Sequence, residues 1–88
     1  MSYKVIYSKA ALKKLKKIDN HNKLYILSWI DKNLEGCSDP YEKGKSLKGQ
    51  FVGSIRYRVG DYRIITDIQE DKLIILVVNI EHRSKVYK

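Results

Sequence analysis

Ser54-Ile55-Arg56-Tyr57-Arg58-Val59-Gly60-Asp61-Tyr62-Arg63-Ile64-Ile65 reads as a β-hairpin. Its flanks are rich in Ile, Val and Tyr, side chains that suit a pleated, half-buried surface. Gly60-Asp61 supplies the turn. Glycine at the first turn position marks a type II′ turn, because that position needs φ > 0. A two-residue loop sets the register, opposing Val59 to Tyr62, Arg58 to Arg63, Tyr57 to Ile64 and Arg56 to Ile65. Directly opposed residues share a face of the sheet. Arg56, Arg58 and Arg63 therefore project from one side. Tyr57, Val59, Tyr62 and Ile64 project from the other, which is the face to be buried. Like charges set opposite each other destabilise a strand pair, by less than about 1 kcal/mol. Either the arginines splay into solvent, or their planar forks of donors line a site for an anion such as phosphate.

Beyond the hairpin the strand continues to about Gln69, and Glu70-Asp71 turns the chain. Lys72 to Asn79 then holds an unbroken apolar run, the pattern of a central strand covered on both faces. The tail from Ile80 to Lys88 places Arg83 and Tyr87 four residues apart, on one face whether it is helical or extended. A frayed, solvated terminus is the plain alternative.

Ahead of the hairpin, residues 36–50 carry the proline and three of the five glycines, and read as a loop. Lys45 and Lys48 on it are candidate phosphate contacts. Tyr3 to Tyr7 alternates as a first strand, and Ser8 is a good helix N-cap. Lys9 to Ile18 follows as an amphipathic helix, with Ala11, Leu15 and Ile18 as its apolar stripe. Five lysines occupy its other positions. They form either a solvated face or a contact surface for nucleic-acid backbone, with Lys13, Lys16 and Lys17 as the candidates. Asp19-Asn20-His21-Asn22 is expected to break the pattern. A second helix is expected from Lys23 to Leu34, with Ile26, Leu27, Ile30 and Leu34 as its stripe, Trp29 at the core edge and Gly36 as its cap.

The order is strand, helix, helix, strand, strand, strand. It predicts an α+β fold: an N-terminal strand, then a helical hairpin packed on one face of a small, mostly antiparallel sheet of about four strands. The basic face opposite is left open. Residues 1–88 are expected to form one domain.

A hydrophobic fraction of 43% suits a globular core, and the one cysteine, Cys37, permits no internal disulfide. The single cysteine fits a reducing cytosol. Cys37 has no evident catalytic partner. No stretch has the length of a membrane span, and the N-terminus enters a strand pattern without a signal peptide. A net charge of +8 on 88 residues points to nucleic acid, an anionic membrane surface or an acidic protein. Charge alone does not choose among them.

His21 and His82 are far apart and neither has a companion at ligand spacing, so no metal site is expected. No Walker or dinucleotide loop is present, and no cofactor is expected. What remains is basic and aromatic. Such a set has the parts for metal-free RNA cleavage, in which the ribose 2′-OH attacks the adjacent phosphate. Guanidiniums stabilise the developing charge and an aromatic ring stacks on a splayed base. Glu81, His82 and Tyr87 are the candidates for general base, and the sequence does not rank them.

Leu47-Lys48-Gly49, the hairpin from Arg56 to Ile65, the acidic turn, the apolar strand, and His82-Arg83 followed by Val86-Tyr87 together resemble the RelE/ParE superfamily of bacterial and archaeal toxins. The resemblance runs over essentially the whole chain. It implies a RelE-like, microbial RNase-type fold and the toxin role in a type II toxin–antitoxin pair. RelE-type members cut mRNA in the ribosomal A site, whereas ParE-type members inhibit DNA gyrase and lack the nuclease residues. Arg83 and Tyr87 resemble the arginine and tyrosine of the RelE active site, and Arg63 its phosphate-binding arginine. Arg56 stands where a well-studied member has a catalytic lysine. A second such lysine is replaced by Ser54, and the spacing from arginine to tyrosine is shorter. The resemblance thus implies a ribosome-dependent endoribonuclease with catalytic Arg56, Arg63, Arg83 and Tyr87. Arg58, Lys45, Lys48 and the helix lysines would be RNA contacts. Arg56 cannot serve as a base, because a guanidinium does not lose its proton in water near neutrality. The implied partners are a RelB-type antitoxin, mRNA and ribosomal RNA, with the toxin monomeric when free and hetero-oligomeric with its antitoxin. The alternatives are a ParE-like gyrase-binding module, in which Arg83 and Tyr87 would be dispensable, and a decayed toxin that only binds its antitoxin.

Overall fold

The computed structural model describes residues 2–46 and 54–83. Seven elements follow in chain order: β1 (Lys4–Tyr7), α1 (Lys9–Lys17), α2 (Asn20–Asn33), β2 (Lys45–Ser46), β3 (Ser54–Val59), β4 (Tyr62–Gln69) and β5 (Ile74–His82). The β3–β4 hairpin has the register its two-residue turn dictates, with Val59 opposite Tyr62, Arg58 opposite Arg63, Tyr57 opposite Ile64 and Arg56 opposite Ile65. Gly60 takes φ +60° while Asp61 stays out of the positive region, as a type II′ turn requires. A Cβ on Gly60 would also come within 3.2 Å of the Tyr25 ring on α2.

The strands run in the order β1-β5-β4-β3-β2. β1 lies parallel to β5, and the other pairs are antiparallel. The four expected strands are β1, β3, β4 and β5. The fifth, β2, corrects the reading of residues 36–50 as loop throughout: Lys45 pairs with Arg56 and Ser46 with Ile55. Two residues are too few to leave an alternation that can be seen in sequence.

The helices also start and stop differently from expectation at one point. Asp19 to Asn22 is not a four-residue break, because Asp19 is the N-cap of α2 and the next three residues are its first turn. The Asp19 carboxylate accepts from the Asn22 backbone N–H at 3.1 Å and from its side-chain amide at 2.8 Å. These donors favour the ionised form and hold the carboxyl below its ordinary range. Polar capping residues look the same in sequence whether they end one helix or start the next. Ser8 caps α1 as expected: its hydroxyl accepts from Ala11 N–H at 3.0 Å and donates to Val78 O at 2.7 Å, tying the helix to β5.

Both helices cover one face of the sheet. Ala11, Leu15, Ile26, Ile30 and Leu34 pack against Tyr57, Val59, Ile64, Ile68, Ile75, Val77 and Ile80. Trp29 sits at the rim of this core, its ring 5.8 Å from that of Tyr57. The chain passes close over β3 at Gly44, where a Cβ would run into Ile55 Cγ2 and the Tyr57 ring. A bulge between Ile65 and Thr66 shifts the β4–β5 register, so Ile64 faces Ile80 but Thr66 faces Val77. Thr66 is buried, and its hydroxyl donates to Ile55 O at 2.9 Å.

The outer edge of β1 is covered by the segment that leaves α2. Gly36 N–H donates to Tyr3 O, Tyr3 N–H donates to Cys37 O, and Val5 N–H donates to the Glu35 carboxylate. Gly36 reaches this path through φ +79°. Filling an edge in this way removes a template for strand addition. Among the described residues, no helix is long and apolar enough to cross a membrane.

Candidate functional site

The sheet face away from the helices is set by the pairing register. It carries Arg56 and Arg58 on β3, Arg63 on β4, and Asn79 and Glu81 on β5. Arg58 is exposed and Arg56 is half-buried. Arg63 is only 5% exposed. An arginine splayed into solvent keeps its hydration, and Arg58 fits that description. Arg63 does not. Its guanidinium has left water, which is costly unless the surroundings compensate it, so its position is strongly determined. A fixed cation loses little freedom when an anion arrives, and such preorganisation makes electrostatic stabilisation effective.

The remaining expected residues fall into three groups. Glu81 stands directly opposite Arg63, on the arginine face. Arg83 follows β5 at the turn end of the hairpin. Its N–H donates to Asp61 O at 2.7 Å, and its guanidinium lies 4.0 Å from the Asp61 carboxylate. Both side chains are well exposed, at 63% and 72%, so the pair is a loose surface contact. The Lys45 position is on β2, opposite Arg56.

A second group is held on the other side of the sheet. His82 stands opposite Tyr62, its ring edge-on to the tyrosine at 4.9 Å and 86°. Tyr62 belongs to the helix side, where the Asp19 carboxylate is among the charges that raise its pKa after burial. Lys13, Lys16 and Lys17 are exposed on α1, whose buried residues Ala11 and Leu15 face the sheet. These lysines are therefore on the outer side of the helical layer, and the fold does not bring them to the arginines. Lys48 and Tyr87 lie outside the described residues.

Asp61 and Asn79 are the residues that inspection of the sequence passed over. Asp61 reads locally as a turn residue, and its contact with Arg83 depends on how β5 aligns with β4. Asn79 closes an apolar run in the sequence, yet it stands on the arginine face opposite Ile65.

Cys37 takes no part in this face. Burial, then the nearby Asp39 carboxylate, pushes its thiol up from the ordinary value. A raised thiol pKa means little thiolate at neutral pH, and thiolate is the reactive form. Iodoacetamide at pH 7.5 is expected to label the folded protein many times more slowly than the protein in denaturant, as followed by mass spectrometry. Equal rates would show that the thiol is neither buried nor raised. Tyr41 is also displaced, to about 12, by burial and by its hydrogen bond to Glu70 at 2.9 Å. That pair lies at the β4–β5 turn, the opposite end of the sheet from the hairpin turn.

A helical hairpin on a mixed sheet, with three arginines in register on the face away from α1 and α2, defines a small α+β protein of the RelE type. Residues 5–87 match the family described as the ParE toxin of type II toxin–antitoxin systems, parDE, and the chain belongs to that family of toxins. Toxin RelG of Mycobacterium tuberculosis is 26% identical over 50 residues; the match spans 57% of this chain and 58% of that relative's length. The RelE–RelB complex of the archaeon Pyrococcus horikoshii contains a chain 28% identical to this one, with a TM-score of 0.76 over 97% of this chain and 99% of its own. The RelBE2 toxin–antitoxin complex of M. tuberculosis gives a TM-score of 0.78 at 20% identity, over 94% of this chain and 100% of its own. The last likeness is one of fold alone.

Proposed function

We propose that this toxin is a ribosome-dependent endoribonuclease that cuts mRNA in the A site. The observation that carries the proposal is the buried Arg63 in register with Arg58, with Arg56 on the same face, away from α1 and α2. The ribose 2′-OH would attack the adjacent phosphate. Arg63 and Arg56 would neutralise charge on its oxygens, and Arg58 would hold a neighbouring phosphate. Arg83 and Tyr87 would complete the site from the tail, with Tyr87 as the ring that stacks on a base. The arginines supply the positive charge, and the scheme uses no metal or cofactor. Lys45 and Lys48 would extend the RNA contact, while Lys13, Lys16 and Lys17, on the far side of the protein, would meet ribosomal RNA.

The partner that restrains this activity is an antitoxin of the RelB type. Two of the similar structures are toxin–antitoxin complexes, which supports this reading. A net charge of +8 suits an acidic or amphipathic antitoxin segment. The free toxin would be a cytoplasmic monomer. The family match to ParE toxins favours one second reading, a gyrase inhibitor that binds and does not cut.

A cell-free translation system with a defined message separates the two. The expected result is RNA ends within codons, seen by primer extension, that require translating ribosomes and fade with Arg83→Ala and Tyr87→Phe. An intact message beside inhibited supercoiling by purified gyrase would overturn the first reading and establish the second.

A further inference from the structure

The proposed cleavage needs a group to take the proton from the 2′-OH, and neither Arg56 nor Arg63 can do so. We propose that Glu81 is that general base. The inference rests on the endoribonuclease reading above.

Three observations carry it. Glu81 is the Cα partner of Arg63 across the β4–β5 pair, so its side chain leaves the sheet on the arginine face. Opposed residues have Cβ atoms about 5 Å apart, which lets a carboxylate and a guanidinium address adjoining atoms of one nucleotide. Next, the carboxylate is uncommitted: among the described residues the Glu81 side chain makes no hydrogen bond and no ion pair. A carboxylate present only to neutralise the arginines would be paired with one. Finally, the other described candidate for the task, His82, points away. His82 alternates to the helix side and packs edge-on against Tyr62.

The step balances without an added reactant. The 2′-OH proton passes to a Glu81 carboxylate oxygen as the 2′-oxygen bonds to phosphorus. The bond from phosphorus to the 5′-oxygen breaks, and that oxygen takes a proton from solvent water. A 2′,3′-cyclic phosphate and a 5′-hydroxyl result, and Glu81 returns its proton to solvent. Among the described residues, the charged groups facing Glu81 on this side are Arg63 across the pair, Arg58 beyond it, and Arg83 with Asp61 at the turn end.

The test is single-turnover cleavage of message on programmed ribosomes, with wild type, Glu81→Gln, Glu81→Asp and Asp71→Asn. Asp71 is an exposed residue of the β4–β5 turn, and its change removes the same charge as Glu81→Gln. Glu81→Gln should slow cleavage by about 10²–10⁴-fold. Its pH–rate profile should differ from that of wild type. Its affinity for programmed ribosomes, measured by pelleting, should be unchanged or tighter, since a negative charge has been removed from a phosphate-binding face. Glu81→Asp should recover part of the rate and of the wild-type pH profile, and Asp71→Asn should match wild type. If wild type cuts and Glu81→Gln cuts equally fast with the same pH profile, Glu81 is not the base and the nuclease reading stands. If Glu81→Gln slows cleavage only in proportion to lost ribosome affinity or thermal stability, its role is structural and the proposal is overturned. If wild type itself leaves the message intact, the nuclease reading fails and this inference fails with it.

Discussion

Arg63→Ala is expected to lower the rate of message cleavage by about 10²–10³-fold, the scale seen when one preorganised donor to a developing oxyanion is removed. Among the hairpin arginines this should be the largest effect. Arg58 is exposed, and its loss should weaken RNA binding with a smaller change in the chemical step. Arg63 is 5% exposed, so its guanidinium is already desolvated and held in place by the fold. Arg63→Lys keeps the charge but replaces a planar fork by a point charge, and should recover only a fraction of the rate. Because Arg63 is buried, each variant must be compared with wild type by thermal melting as well. Loss of cleavage in a protein that still melts cooperatively near the wild-type temperature assigns the residue to the site. A folded Arg63→Ala protein with an undiminished rate would remove Arg63 from the mechanism and leave the arginine face as a binding surface.

The largest effect on stability is expected at Tyr57. Its side chain is fully buried, packs on Trp29, and donates its hydroxyl hydrogen to the carbonyl of Pro40. It is thus held by the helix layer, by β3 and by the segment between α2 and β2. Burial also raises the phenol pKa, so the group stays neutral and remains a donor. Truncating a buried aromatic residue to alanine costs about 3–5 kcal/mol. At about 0.05–0.15 kcal/mol per residue, a chain of 88 residues has roughly 4–13 kcal/mol in all. Tyr57→Ala should therefore leave the protein marginal or unfolded at 25 °C. Tyr57→Phe keeps the ring and leaves the Pro40 carbonyl without its donor, at a cost of about 1–3 kcal/mol. Each kcal/mol corresponds to about 4–8 °C in a domain of this size. Chemical denaturation of both variants checks the order. A Tyr57→Phe protein as unstable as Tyr57→Ala would mean that the hydrogen bond dominates and the ring packing is minor.

Much of this architecture is local and so could be read from residues. A two-residue turn at Gly60-Asp61 leaves one register for β3 and β4, and with it the shared face of Arg56, Arg58 and Arg63. The Ser8 cap and the stripe from Ala11 to Leu15 likewise depend only on neighbours along the chain. The two-residue β2 strand and the parallel pairing of β1 with β5 were decided in three dimensions, since each needs a partner distant in sequence.

The faces of Glu81 and His82 show the difference most sharply. Counting alternate residues from the buried Ile75 and Val77 would put Glu81 on the core side and His82 among the arginines. The bulge between Ile65 and Thr66 adds one residue to β5 and reverses that parity. Nothing within Ile74–His82 announces it, because an apolar run has no alternation to interrupt. The burial of Arg63 is of the same kind. Its side of the hairpin follows from the turn, but its withdrawal from solvent depends on what the rest of the chain lays around it. Residue types and turn chemistry determined that three arginines share one face; only tertiary packing decided which of them is desolvated and which acid stands beside it.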